Sequence, residues 1–227
     1  MKAAGGDGAD EAVDGAWLTL SDALLRGVGH AMNNRAAALS AVVQVLAATG
    51  PEGPLESALR SETGRLQRVV ELLRLLPRRW ESEPEPVLIG ELVPSAIELL
   101  ALHSDLPETR YAWEAEGGLS PVLIEPSLLI HVLCLLGTAA ANEAARTGAR
   151  AVTFRGSGSE DAVRVDILLG ESDERLADPA APGAGEDPMA AAALLARAGG
   201  ELTMENEGEL RLSFILPTLG AARRRAG

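Results

Sequence analysis

The sequence predicts an α+β protein: an N-terminal antiparallel helical hairpin followed by a two-layer α/β sandwich. Three observations predict it. Apolar residues recur with three-four spacing through residues 16–77. A stretch rich in Pro, Glu and Arg then interrupts the pattern at 78–86. From residue 87 to 219 helical segments alternate with short β-branched runs, the grammar of helices packed on a mostly antiparallel sheet.

In chain order, residues 1–15 are acidic and rich in Gly and Ala, and are expected to form a disordered leader. The first helix carries an apolar seam at Leu25, Val28, Met32, Leu39, Val42 and Leu46, broken only at Arg35. Gly50-Pro51-Glu52-Gly53-Pro54 stops it and turns the chain. The second helix repeats the spacing at Leu55, Leu59, Leu66, Val69, Leu73 and Leu76. A lone hairpin leaves apolar surface uncovered, so pairing of two copies into a four-helix bundle is expected, making the protein a homodimer. Residues 78–86 are expected to be a linker. Beyond it, Leu92–His103, Ser127–Arg146 and Pro188–Ala198 read as helices. Thr109–Ala115, Pro121–Glu125, Ala151–Arg155, Ala162–Leu169, Glu201–Glu205 and Leu210–Leu216 read as strands, the last two joined around Asn206-Glu207-Gly208. Gly170–Glu186 reads as a loop, and residues 220–227 as a solvated basic tail.

Composition limits the partners. Apolar residues make up 47% of the chain and aromatics 3%, so the cores are built from Leu, Val and Ala. The formal charge of −13 argues against nucleic acid and anionic membrane, which select clustered Lys and Arg. Arg223-Arg224-Arg225 is the only basic run. The single cysteine, Cys134, lies in an apolar run and excludes an internal disulfide. The three histidines are too scattered for a metal site. No basic segment leading into an apolar core opens the chain, and no apolar stretch of the ~18–20 residues that span a bilayer is apparent. A cytoplasmic protein is expected.

The string Gly29-His30-Ala31-Met32-Asn33-Asn34 carries the chemistry. At about 100° per residue, His30 falls roughly 200° around the helix from Val28 and from Met32, and so points away from the seam. Arg26, Gly27, Asn33, Asn34, Ala37, Ala41 and Gln44 share its strip, which is polar or small enough for another protein's backbone to come close. An exposed neutral imidazole is a nucleophile toward phosphorus near pH 7. Asn34, one turn on, is placed to hydrogen-bond the imidazole or a phosphoryl oxygen. An isolated exposed histidine is more often inert; the surrounding pattern argues otherwise here.

His30-Ala31-Met32-Asn33-Asn34 is similar to the His-Glu-Leu-Asn-Asn-Pro box of histidine kinases, in their dimerisation and phosphotransfer domain. The second part of the chain resembles that family's ATPase domain in order and spacing. Pro121-Val122-Leu123-Ile124-Glu125-Pro126 running into His131-Val132-Leu133-Cys134 resembles the approach to its asparagine box. Ala198-Gly199-Gly200 resembles the His-Gly-Gly after its last nucleotide-binding helix. The nucleotide residues depart from the family. Ala31 replaces the acid that follows the phosphorylated histidine, and Leu135 and Ala139 stand at the magnesium-binding asparagines, with Asn142-Glu143 about one turn late. Leu168-Leu169-Gly170-Glu171-Ser172 lacks the adenine-reading aspartate, and Gly185-Glu186-Asp187-Pro188 replaces the glycine loop. There Glu186 and Asp187 would meet phosphates with like charge, while Asp187-Pro188 makes a good helix start.

The resemblance implies a dimeric histidine phosphotransferase that binds no ATP. His30 would be the phosphoacceptor, aided by Asn33 and Asn34, with response-regulator receiver domains as partners docking on Arg26, Gly27, Ala37, Ala41 and Gln44. It would hold no cofactor of its own, the magnesium coming with the receiver. Two alternatives stay open: a non-catalytic scaffold that binds a receiver or kinase, and a divergent kinase using Asn142-Glu143.

Overall fold

The computed structural model describes residues 7–49, 54–76, 83–106, 109–182, 185, 187–205 and 210–226. The turns expected at 50–53 and 206–208 lie outside the described residues, as does most of the expected linker.

Helix α1 runs from Asp7 to Thr49 and α2 from Pro54 to Leu75. Forty-three residues at ~1.5 Å each make α1 about twice as long as the 22-residue α2, so α2 can cover only half of it. The other half of α1 packs on the second domain, against α4 and α5. This corrects two expectations. The leader of residues 1–15 is helical from Asp7, and Val13 within it is buried. The seam is also displaced at its start: Leu25 is 51% exposed, whereas Leu20, Leu24 and Val28 are buried. Where the seam is polar, Arg35 on α1 meets Glu62 on α2 at 3.3 Å, so the break in one stripe is matched by a break in the other.

The linker is shorter than expected. Strand β1, Glu85–Val87, already pairs antiparallel with β3, Val122–Ile124, as a two-stranded ribbon. Helix α3 spans Ile89–Ala101, and β2 spans Arg110–Ala115. Helix α4, Pro126–Thr147, is the core helix, with Pro126 in its first turn. Strands β4 (Ala151–Gly158) and β5 (Ala162–Leu169), helix α5 (Asp187–Arg197), strands β6 (Glu201–Glu205) and β7 (Arg211–Pro217), and helix α6 (Leu219–Ala226) complete the chain. The five-stranded sheet has the order β2-β4-β5-β7-β6 and is antiparallel except between β2 and β4. Alternate residues face the helices: Val152 and Phe154 on β4, Val163, Val165 and Ile167 on β5, Leu212, Phe214 and Leu216 on β7. The expected hairpin and α/β sandwich are both present. The expected basic tail is instead α6, and Arg224 on it pairs with Asp161.

Helix α4 is, against expectation, long and apolar enough by composition to cross a membrane, but 89% of that stretch is buried, as a core helix must be. Cys134 at its centre is fully buried, which pushes its thiol up to about 12 and leaves it unreactive at neutral pH. The helix ends at Gly148 in the left-handed region, φ 81°. A side chain there would lie 2.1 Å from the carbonyl oxygen of Asp173. Gly148→Ala therefore meets both backbone strain and a clash, and is expected to cost about 2 kcal/mol or more. Urea denaturation measures it; an unchanged midpoint would show that the 170s loop yields freely.

Candidate functional site

His30 sits where α1 leaves the second domain and continues as free hairpin. Val28 on one side of the helix is buried, while His30 is exposed on the other. The side-chain amide nitrogen of Asn34 stands 3.1 Å from Nε2 of His30. An amide N–H can only donate, so the contact forms with the tautomer in which Nε2 is the acceptor and Nδ1 carries the proton. In that tautomer the free electron pair of the ring is on Nε2, under the amide of Asn34. Asn33, Ala37, Ala41 and Gln44 are exposed along the same helix, giving His30 an open surface on its C-terminal side.

The N-terminal side is different. Arg26 and Gly27 are engaged within the chain, by the turn that follows α3. The guanidinium of Arg26 donates to both carboxylate oxygens of Asp105, at 3.1 and 2.9 Å, and also reaches Asp22 at 3.1 Å. These partners raise the arginine above its ordinary value, its hydrogen bond to Asp105 being the main cause. Asp105 is held below the usual carboxylate range, first by the Ser104 hydroxyl and then by Arg26. At Gly27 a Cβ would fall 1.5 Å from the carbonyl oxygen of Leu102, so the backbone of α3's end rests directly on the backbone of α1. Gly27 does serve a close backbone approach, as its size suggested, but the approaching chain is its own.

Two further contacts fix the second domain on the hairpin and were not read from the sequence. Arg68 on α2 donates to both oxygens of Glu98 at 2.8 Å, and to Ser95 at 3.1 Å, clamping α3 to α2. Its guanidinium is raised above its ordinary value, mainly by the hydrogen bonds to Glu98. Trp17 on α1 meets His131 on α4 edge to face, with ring centroids 4.9 Å apart. A tryptophan just beyond the acidic, Gly/Ala-rich stretch of residues 1–15 is the available signal for the second contact. The first had none, because Arg68, Ser95 and Glu98 are ordinary helix-surface residues.

No protein-family model matches the sequence, and no curated protein matches it. The solved structures similar to this chain include histidine kinases. The histidine kinase AdeS of Acinetobacter baumannii is 16% identical, with a TM-score of 0.47, over 84% of this chain and 98% of its own. A bacterial phosphotransferase is 16% identical, with a TM-score of 0.43, over 87% of this chain and 95% of its own. The ATP-binding domain of PrrB from Mycobacterium tuberculosis is 20% identical, with a TM-score of 0.45, over 60% of this chain and 98% of its own.

The positions that depart from the kinase pattern have apolar or structural duties here. Leu135 and Ala139 are fully buried in the core. Glu143, the candidate magnesium ligand, has its carboxylate bound by Arg146 through two hydrogen bonds, one of them 2.8 Å from Nε. Gly170 donates its N–H to the carbonyl of Ala151 at 2.8 Å, tying the end of β5 back to β4. Asp187 opens α5, and Pro188 beside it is buried; Glu186 lies outside the described residues. Among the described residues no group of three His, Cys, Asp or Glu side chains is placed to hold a metal.

Proposed function

We propose that this chain is a histidine phosphotransferase that relays phosphoryl groups between response-regulator receiver domains through His30, without binding ATP. The observation that carries this reading is an exposed imidazole whose Nε2 lies 3.1 Å from the side-chain amide of Asn34. In the forward step the Nε2 electron pair forms a P–N bond as the acyl phosphate P–O bond of a phospho-aspartate breaks. The aspartate leaves as a carboxylate, and the Nδ1 proton stays in place. Transfer to a second receiver is the reverse. Such transfer needs mainly alignment and charge stabilisation, and a magnesium ion brought by the receiver supplies the latter. Asn34 can turn its amide from Nε2 to an oxygen of the arriving phosphoryl group. Asn33, Ala37, Ala41 and Gln44 form the open side on which the receiver docks.

Three features support the finer parts of this reading. The apolar burial of Leu135 and Ala139, and the engagement of Glu143 by Arg146, argue against a nucleotide-magnesium site and so against an active kinase. Leu18, 66% exposed, Leu25 and Val43 fall within about 20° of one another around α1, on a face that neither α2 nor the second domain covers. A second copy completing a four-helix bundle would bury that stripe. The acidic surface suits a cytoplasmic protein partner rather than nucleic acid or membrane.

The test is to incubate the protein with labelled ATP and, separately, with labelled phospho-receivers from the same organism. Label is expected from a receiver and not from ATP. Label from ATP alone would make the chain a kinase, and receiver binding without label would make it a scaffold.

A further inference from the structure

We propose that the turn Leu102–Asp105 is a latch over the N-terminal side of the His30 face, and that a receiver binds fully only when the latch lifts. The inference rests on the docking part of the reading above and adds its regulation. Arg26 and Gly27 stand four and three residues before His30, which makes them its neighbours on the helix surface. Both are covered by one turn of the second domain: Asp105 on Arg26, and the Leu102 carbonyl on Gly27. A protein docking along α1 across His30 meets this turn on one side and the open surface of Asn33, Ala37 and Ala41 on the other.

The contact is built to open locally. The side chains of Arg26 and Asp105 are each about half exposed, 55% and 52%, so salt screens their attraction. The Gly27 contact is backbone against backbone and buries no side chain at that position. The clamp of Arg68 on Glu98 and Ser95 holds the last two turns of α3 to α2, so the turn beyond Ala101 can lift without the domain leaving the hairpin. Within the turn, His103 is half-buried, and its Nδ1 accepts the N–H of Asp105 at 3.3 Å. Lifting the turn exposes that ring, which makes His103 a reporter of the latch that does not depend on phosphoryl transfer.

Two variants open the latch by different means. Asp105→Asn removes the ion pair, and Gly27→Ala places a methyl group where the Leu102 oxygen sits. The full chain and both variants are treated with diethyl pyrocarbonate, and modification of His103 is followed by peptide mass spectrometry, with buried His131 as the internal control. Binding of a receiver is measured on the same samples. Expected is several-fold faster modification of His103 in both variants, unchanged His131, and several-fold tighter receiver binding. Raising the salt should speed His103 modification in the wild type and not in Asp105→Asn. Unchanged His103 modification, or faster modification without tighter binding, overturns the latch. Tighter binding with no phosphoryl transfer to His30 keeps the latch and removes the phosphotransfer reading instead.

Discussion

His30→Gln is expected to lose phosphoryl acceptance from a phospho-receiver completely while folding as the wild type does. The side chain is exposed and its polar contact is with Asn34, one turn away, so an amide of similar reach leaves the packing of α1 untouched. Surface changes of this kind stay within about 0.5 kcal/mol in stability. What disappears is the nucleophile, since a glutamine amide has no basic nitrogen to form the P–N bond. Asn34→Ala is the graded companion. It keeps the imidazole but removes the donor that marks Nε2 and that would meet a phosphoryl oxygen. A hydrogen bond to a charged group is worth about 1.5–3 kcal/mol, which corresponds to a loss on the order of tenfold to a hundredfold in transfer rate. Single-turnover transfer from a labelled receiver measures both. Label on His30→Gln at the wild-type rate would place the phosphoacceptor elsewhere in the chain.

The second large effect is on stability against pH. Burial against Trp17 and the core lowers His131 from its ordinary value to about 4. The unfolded chain therefore takes up a proton near pH 6.5 that the folded chain refuses until about pH 4. Between these values the unfolded state binds more protons, so stability falls as the pH falls. The contribution is fully present above pH 6.5 and is lost by about pH 4. The full change is about 3 kcal/mol. His103, lowered by burial and partly restored by Asp105, adds a slope of the same sign. Urea denaturation of the wild type and of His131→Leu at pH 5, 6 and 7 isolates the His131 part. The wild type is expected to weaken toward pH 5 more steeply than the variant, and parallel curves would show that His131 takes its proton without cost in the folded chain.

The site and the fold were legible to different depths. The orientation of His30 follows from helix geometry alone, because Val28 and Met32 define a seam and a residue two positions from each must point away from it. Strand β5 ends where its pattern ends, since alternation records which face is covered. Residues 7–15 are helical although their composition resembles that of unfolded segments. Val13, Leu20 and Leu24 stabilise a helix only because α4 and α5 are there to receive them, and partners more than a hundred residues away leave no local trace. The same holds for β1, which looks like linker until β3 pairs with it, and for α6, whose Arg224 is held by Asp161.

Local periodicity by itself thus determined the hairpin, the sandwich, the outward histidine and its asparagine neighbour. That Leu135 and Ala139 stand at asparagine positions follows from the resemblance to histidine kinases and not from periodicity, which marks them only as core residues. Only the tertiary structure decided what Arg26 and Gly27 do. From the sequence they belong to the open strip around His30; in the folded chain one is paired with Asp105 and the other lies under the Leu102 carbonyl. The reason is physical. A helix sets which way each side chain points over a few residues, but which surface meets that face is settled by how α3 is clamped to α2 through Arg68 and Glu98.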